Sequence, residues 1–192
     1  MLVAFGFALL VLAAAVVVLF AMFAELAARV PAESSARRSR TVRPLDDARL
    51  GHSPVVWPAA LPSGGRSVLL VLSTICNSCE DVARQLVFDP GHADWTEASV
   101  VVSTGDQASG EEFITHHRLE QFPRHVDEGG EWISGEFGVQ SSPTALVFRD
   151  QRLVAAYEFN DVAAVRTVID QASVDQSEMA EQEEDNRQKE EV

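Results

Sequence analysis

The sequence predicts an α/β domain behind an N-terminal single transmembrane helix. Three observations carry that prediction. Residues 2–24 are an uninterrupted apolar run without a charged side chain. From Val68 onward, apolar strand-like segments alternate with helix-patterned ones. The first of these strands runs through Ser73 and Thr74 into Cys76-Asn-Ser-Cys79, at the head of a helical pattern.

At roughly 1.5 Å per residue, the run from Leu2 to Ala24 spans the ~30 Å hydrocarbon core of a bilayer. The competing reading is a cleaved signal peptide. Against it, the run has no positive segment before it and exceeds the usual ~7–15 apolar residues. Residues 1–25 are therefore expected to be a membrane anchor, in contact with the lipid bilayer through residues 2–24. Residues 26–50, with Arg29, Arg37, Arg38, Arg40 and Arg43, read as an Arg-rich linker.

The folded domain is placed at residues 51–174. Gly51-His-Ser-Pro54 and Val55-Val-Trp57-Pro58 lead in, and Leu61-Pro-Ser-Gly-Gly65 makes a turn. Val68 to Leu72 has the length and composition of a strand buried on both faces. Val82, Ala83 and Leu86 then follow helix spacing, with Thr74 as expected N-cap and Asp89-Pro-Gly91 as the stop. Ala98 to Ser103 is a second buried strand, and Gly110 to Leu119 a short amphipathic helix. Phe122 to Asp127 is a third strand, which Pro123 confines to an edge or bulge. Trp132 to Phe137 is a helical turn. Residues 144–159 read as a hairpin turning at Arg149-Asp-Gln-Arg152, and Asp161 caps a last helix bearing Val162, Val165, Val168 and Ile169. Residues 175–192 hold eight acids against Arg187 and Lys189 and read as an acidic disordered tail.

Fifteen basic against 29 acidic residues give a formal charge of −14, which argues against a nucleic-acid partner. Both cysteines lie in one motif, so no other disulfide framework is available. Cys76 falls at a helix start, where unpaired N–H groups and the positive dipole end stabilise a thiolate. Cys79 follows one turn later, close enough to form a disulfide with it. That is the arrangement of a redox dithiol. The bland alternatives are two small buried residues or half of a metal site. Zinc needs two further ligands, and His116-His117 has the wrong spacing, while His92 and His125 are far apart. No metal is expected. The five histidines read as surface residues, and Trp57, Trp95 and Trp132 as core or rim packing.

Over roughly residues 51–172 the chain resembles the thioredoxin superfamily. The resemblance rests on the strand–Cys76-Asn-Ser-Cys79–helix unit, on Gly138-Val-Gln-Ser-Ser-Pro143-Thr, and on the hairpin and helix after that proline. The second of these matches the family's passage before its cis-proline. The apolar N-terminus, Gly51 and Pro54, and the αβ insertion before the proline are similar to the membrane-anchored TlpA and MauD branch. This resemblance implies a thioredoxin-like three-layer α/β/α sandwich and a thiol–disulfide oxidoreductase. Cys76 would attack and Cys79 resolve, the two forming the redox disulfide. Pro143 would be cis, with Ser142 offering its backbone to an extended substrate. No bound cofactor is implied. The implied partners are protein thiols and disulfides and a membrane thiol-redox partner. The implied location is the cell membrane, with the domain outside. The arginines after the apolar run favour a cytoplasmic domain instead, so orientation stays open.

The chain departs from the family at three places. Ile75 stands where an aromatic residue usually precedes the first cysteine. Leu70 stands where thioredoxin has a buried acid, and Asn77-Ser78 is neither Gly-Pro nor Pro-His. A second reading is therefore a redox-inactive, thioredoxin-like peptide-binding or scaffold module that uses the Ser142–Pro143 groove.

Overall fold

The computed structural model describes residues 42–88 and 95–173. The expected anchor at 1–25, most of the Arg-rich linker, the Asp89-Pro-Gly91 stop and the acidic tail at 175–192 lie outside the described residues. Among the described residues, no helix is long and apolar enough to cross a membrane.

The described chain runs through β1 (Val42–Pro44), β2 (Arg66–Ser73), α1 (Asn77–Phe88), β3 (Ala98–Thr104) and α2 (Gln107–His116). A 3-10 turn at Leu119–Gln121 leads to β4 (Arg124–Glu128), α3 (Glu131–Phe137), β5 (Thr144–Arg149) and β6 (Arg152–Phe159). A closing helix, α4, occupies 162–173. The strands form a six-stranded sheet in the order β1-β6-β5-β2-β3-β4. β2 is its centre, parallel to β3 and antiparallel to β5, with Val71 opposite both Val101 and Thr144. Every residue from Ser67 to Leu72 is buried because helices cover both faces.

The period-2 alternation of β2 divides the core into two. Val68, Leu70 and Leu72 pack with Cys79, Val82 and Leu86 of α1, Ile114 of α2, and Val162, Val165 and Ile169. Leu69 and Val71 face the other way, onto Ile133 and Phe137 of α3 and onto Leu61, with Trp57 and Trp132 packed against that cluster. The result is a three-layer α/β/α sandwich. Trp57 sits edge-on to Phe148 at 5.1 Å, and Trp132 edge-on to Phe137 at 5.3 Å. The expected packing role of these tryptophans holds.

Several local expectations hold as well. Pro123 precedes β4, which is an edge strand, and the Asp161 carboxylate accepts the Ala164 N–H at 2.8 Å to cap α4. Gly138 ends α3 with φ +73, and its N–H donates to the Ser134 carbonyl. A Cβ there would come within 3.1 Å of the Asp47 carbonyl oxygen. Glycine therefore provides both the left-handed turn and room for the crossing segment.

Two findings differ from expectation. Val42–Pro44, which the sequence places in the linker, pairs with β6 as an edge strand, Val42 opposite Phe159. The histidines are not all simple surface groups. His52 Nε2 lies 2.7 Å from Glu136 Oε2, His117 packs on Phe113, and His125 stands edge-on to Trp132. Burial lowers the pKa of both His117 and His125 below the ordinary 6.5. For His117 the neighbouring His116 adds to that shift, and for His125 the nearby Asp127 opposes it.

Candidate dithiol site

After β2 the chain turns at Thr74 and Ile75, the Cys76 N–H donating to the Ser73 carbonyl at 3.3 Å, and becomes helical at Asn77, which makes Cys76 the capping position of α1. Its Sγ accepts the Cys79 N–H at 3.3 Å, an N–H shared with the Cys76 carbonyl at 3.0 Å. Thr74, the expected cap, lies two residues too early. Its N–H donates to the Ser103 carbonyl and its hydroxyl donates to Thr104 Oγ1. Asn77 and Ser78 are exposed, and the donor to the sulfur is backbone.

Both cysteines are free thiols. Cys76 is partly exposed, whereas Cys79 is fully buried in the layer formed by Leu72, Val82 and Ala83. Burial pushes the Cys79 thiol up to about 12. The Cys76 sulfur beside it adds to the shift, and hydrogen bonds from Ser142 and Ser73 oppose it. Leu70 shares that layer and is itself fully buried, so its position offers no proton acceptor.

The other side of the site comes from the start of β5. The Ser142–Pro143 peptide bond is cis. The Cys76 thiol donates to the Ser142 carbonyl oxygen at 3.4 Å. β2 ends and β5 begins side by side in the sheet, and this brings together residues 66 positions apart. Cys76, Cys79, Ser142 and Pro143 thus form one constellation, with the dithiol at a helix start facing a cis-proline loop across a central strand pair.

The fold is thioredoxin-like. No protein-family model matches the chain, and no curated protein matches it. Several solved structures are similar at low identity. One is a thiol:disulfide interchange protein, provisionally called DsbE, from Chlorobium tepidum, with 16% identity, 65% of this chain and 97% of that one covered, and a TM-score of 0.48. StoA from Bacillus subtilis has 17% identity, 67% and 94% coverage, and a TM-score of 0.43. A thioredoxin-like protein from Aeropyrum pernix has 17% identity, 57% and 79% coverage, and a TM-score of 0.44. The thioredoxin-like domain is recognised here by its own strand order and by its dithiol facing a cis-proline, not by these distant likenesses.

A second feature adjoins the dithiol. Ser73, Ser103 and Asp127 stand in one row across β2, β3 and β4. Asp127 is 3% exposed, and its two carboxylate oxygens accept the Trp132 and Ile133 N–H groups at 2.9 and 3.0 Å. A buried carboxylate thereby anchors the start of α3. Beside it, a cavity of about 320 Å³ lies between the ends of β2 and β3, α3 and the 139–142 loop. Sequence reading missed both. An acid followed by Gly129-Gly130 and a helical segment was the available signal for Asp127. Nothing local marks the cavity. Among the described residues, no group of three or more His, Cys, Asp or Glu could hold a metal ion.

Proposed function

We propose that this protein is a membrane-tethered thiol–disulfide oxidoreductase that exchanges disulfides with protein substrates through Cys76 and Cys79. The observation that carries this reading is the position of Cys76 Sγ. It is partly exposed, accepts a helix-start N–H at 3.3 Å, and has the Ser142 carbonyl 3.4 Å away. Attack begins when the Cys76 thiolate displaces one sulfur of a substrate disulfide. A Cys76–substrate mixed disulfide forms and one substrate thiolate leaves. Cys79 then loses its proton to solvent and attacks the Cys76 sulfur, releasing the second substrate thiolate. The substrate gains two electrons, and the protein is left with a Cys76–Cys79 disulfide. Run backwards, the same steps oxidise a dithiol. In the reduced dithiol, burial keeps the Cys79 thiol protonated at neutral pH, so the attack on substrate falls to Cys76.

The tether is the apolar run at residues 2–24, and a membrane thiol-redox partner would reset the dithiol. The decisive experiment replaces Cys79 with Ala in cells. Mixed disulfides through Cys76 should accumulate and be visible on non-reducing gels. Their absence, in a chain whose dithiol also fails to exchange with dithiothreitol, would sink the exchange reading. Protease shaving of intact cells would then show on which side the domain lies, with an external domain expected. The alternative, a redox-inactive peptide-binding module, is favoured by one observation. Leu70 leaves Cys79 without an acceptor for its proton.

A further inference from the structure

The geometry points to the cavity beside the dithiol as a recognition pocket. It would take an uncharged, hydrogen-bonding side chain (Asn, Gln, Ser or Thr) that flanks the cysteine of an extended substrate segment. The inference rests on the exchange reading above and names the substrate feature that the same site would select.

Composition comes first. In a chain of net charge −14, the lining contains no Asp, Glu, Lys, Arg or His. It offers the hydroxyls of Ser73, Ser103, Ser134, Ser141 and Ser142 and the carboxamide of Gln140. Ser134 and Ser141 are partly committed, Ser134 donating to the Gly130 carbonyl and Ser141 lying beside Thr144 Oγ1. Among the described residues, the Ser103 hydroxyl and the Gln140 amide engage no side-chain partner. Of the carboxylates close by, Asp127 already accepts a backbone N–H on each oxygen, and the exposed Glu131 stands outside the lining, 3.7 Å from where a Cβ on Gly129 would sit.

These groups discriminate by charge and polarity. A charged side chain would enter without a counter-ion, at the cost of its hydration. An aliphatic one would strip water from hydroxyl and amide groups and return no hydrogen bond. A neutral donor–acceptor group satisfies both demands. The space is also held open from below. Gly130 has φ +67, and a Cβ on it would come within 2.7 Å of Ser103 Oγ.

Location ties the pocket to the chemistry. Ser142 is at once part of the lining and the residue whose carbonyl meets Cys76 Sγ. An extended segment advances about 3.3 Å per residue. A side chain reaching this pocket therefore belongs to a residue within about two or three positions of the attacked cysteine.

The test uses the reduced full-length chain and a set of disulfide-linked peptide dimers. These carry Asn, Gln, Ala, Leu, Asp or Lys, in turn, at each of the three positions on either side of the cysteine. At one position, Asn or Gln should raise the exchange rate constant about tenfold over Leu, Asp and Lys, the loss expected from one unmet hydrogen bond. Ser103→Val and Gln140→Leu should each shrink that ratio towards one. No neutral-polar preference at any position, or a preference untouched in both variants, overturns the pocket. Failure of every peptide to exchange would instead sink the oxidoreductase reading. Binding of the same peptides with Ser in place of Cys, followed by fluorescence anisotropy, then decides the pocket alone. The same amide preference supports it, and equal binding removes it.

Discussion

The Cys76 sulfur is held between two backbone groups from different parts of the chain, the Cys79 N–H at 3.3 Å and the Ser142 carbonyl at 3.4 Å. The two contacts respond oppositely to ionisation. The thiol can donate to Ser142, whereas a thiolate has no proton to give and keeps only the N–H contact. Loss of the proton thus frees the Ser142 carbonyl just as the sulfur becomes a nucleophile. In the exchange mechanism proposed above, that carbonyl would then be open to a substrate backbone N–H.

The two thiols should differ sharply in alkylation. With Cys79 pushed up to about 12 against an ordinary 9.0, its thiolate fraction at pH 7.5 falls by about a thousandfold. In Cys76→Ala the largest cause, burial, remains. Iodoacetamide should therefore modify Cys79 at least a hundredfold more slowly than it modifies Cys76 in Cys79→Ala. The sign with pH is fixed. The neutral form is favoured in the fold, so the Cys79 rate should climb about tenfold per pH unit and keep climbing past pH 9.5. A plateau near pH 9 would contradict the burial account.

Asp127→Ala should lower stability by about 2 kcal/mol or more, because two buried backbone N–H groups lose a charged acceptor. Urea unfolding measures it. A midpoint within error of the parent chain would mean that α3 does not depend on the carboxylate.

Gly138→Ala should cost about 1–2 kcal/mol from the left-handed turn alone, and more if the segment at Asp47 cannot yield. Gly64, which has open space around it and no positive φ, is the control. Gly64→Ala should change the urea midpoint little, and equal effects at the two sites would refute the assignment.

His117 and His125 should make the fold acid-sensitive in a defined window. Both have folded pKa values below 6.5, so the unfolded chain binds more protons as pH drops through that value. Stability is therefore fully present above about 6.5 and declines below it. Asp106, lowered from 3.8 by hydrogen bonds from Ser109, acts only at more acidic pH. The double variant His117→Gln/His125→Gln should lose less stability than the parent between pH 7.5 and 5.5 in urea melts. A parallel loss in both chains would exclude the two histidines as the cause.

Much of the domain was legible because its signals are local. The unbroken apolar run of β2, the Pro123 edge and the Asp161 cap each follow from a few adjacent residues. The pairing of the dithiol with Ser142 came from resemblance to a family, since no local pattern joins residues so far apart. Val42–Pro44 escaped because three residues beside arginines carry no strand pattern, and only the distant β6 recruits them. The cap was misplaced at Thr74 because cysteine is not among the residues that usually cap a helix. The cavity was invisible for another reason. Ser73 and Ser103 become neighbours only through strand register, and Ser134 and Gln140 join them only when α3 and the loop after it fold over that end of the sheet.

The edge pairing of β1 also gives the domain two poles. Val42 lies opposite Phe159, whose N–H bonds the Pro143 carbonyl, so β1 begins at the dithiol pole. Three strand spacings of about 4.8 Å put it about 14 Å to the side of β2. The closing helix ends elsewhere. The Ile169 carbonyl accepts from Arg66, at the far end of β2. The described chain thus begins on the dithiol side of the sheet, at Val42, whereas the closing helix runs towards the end where Arg66 lies.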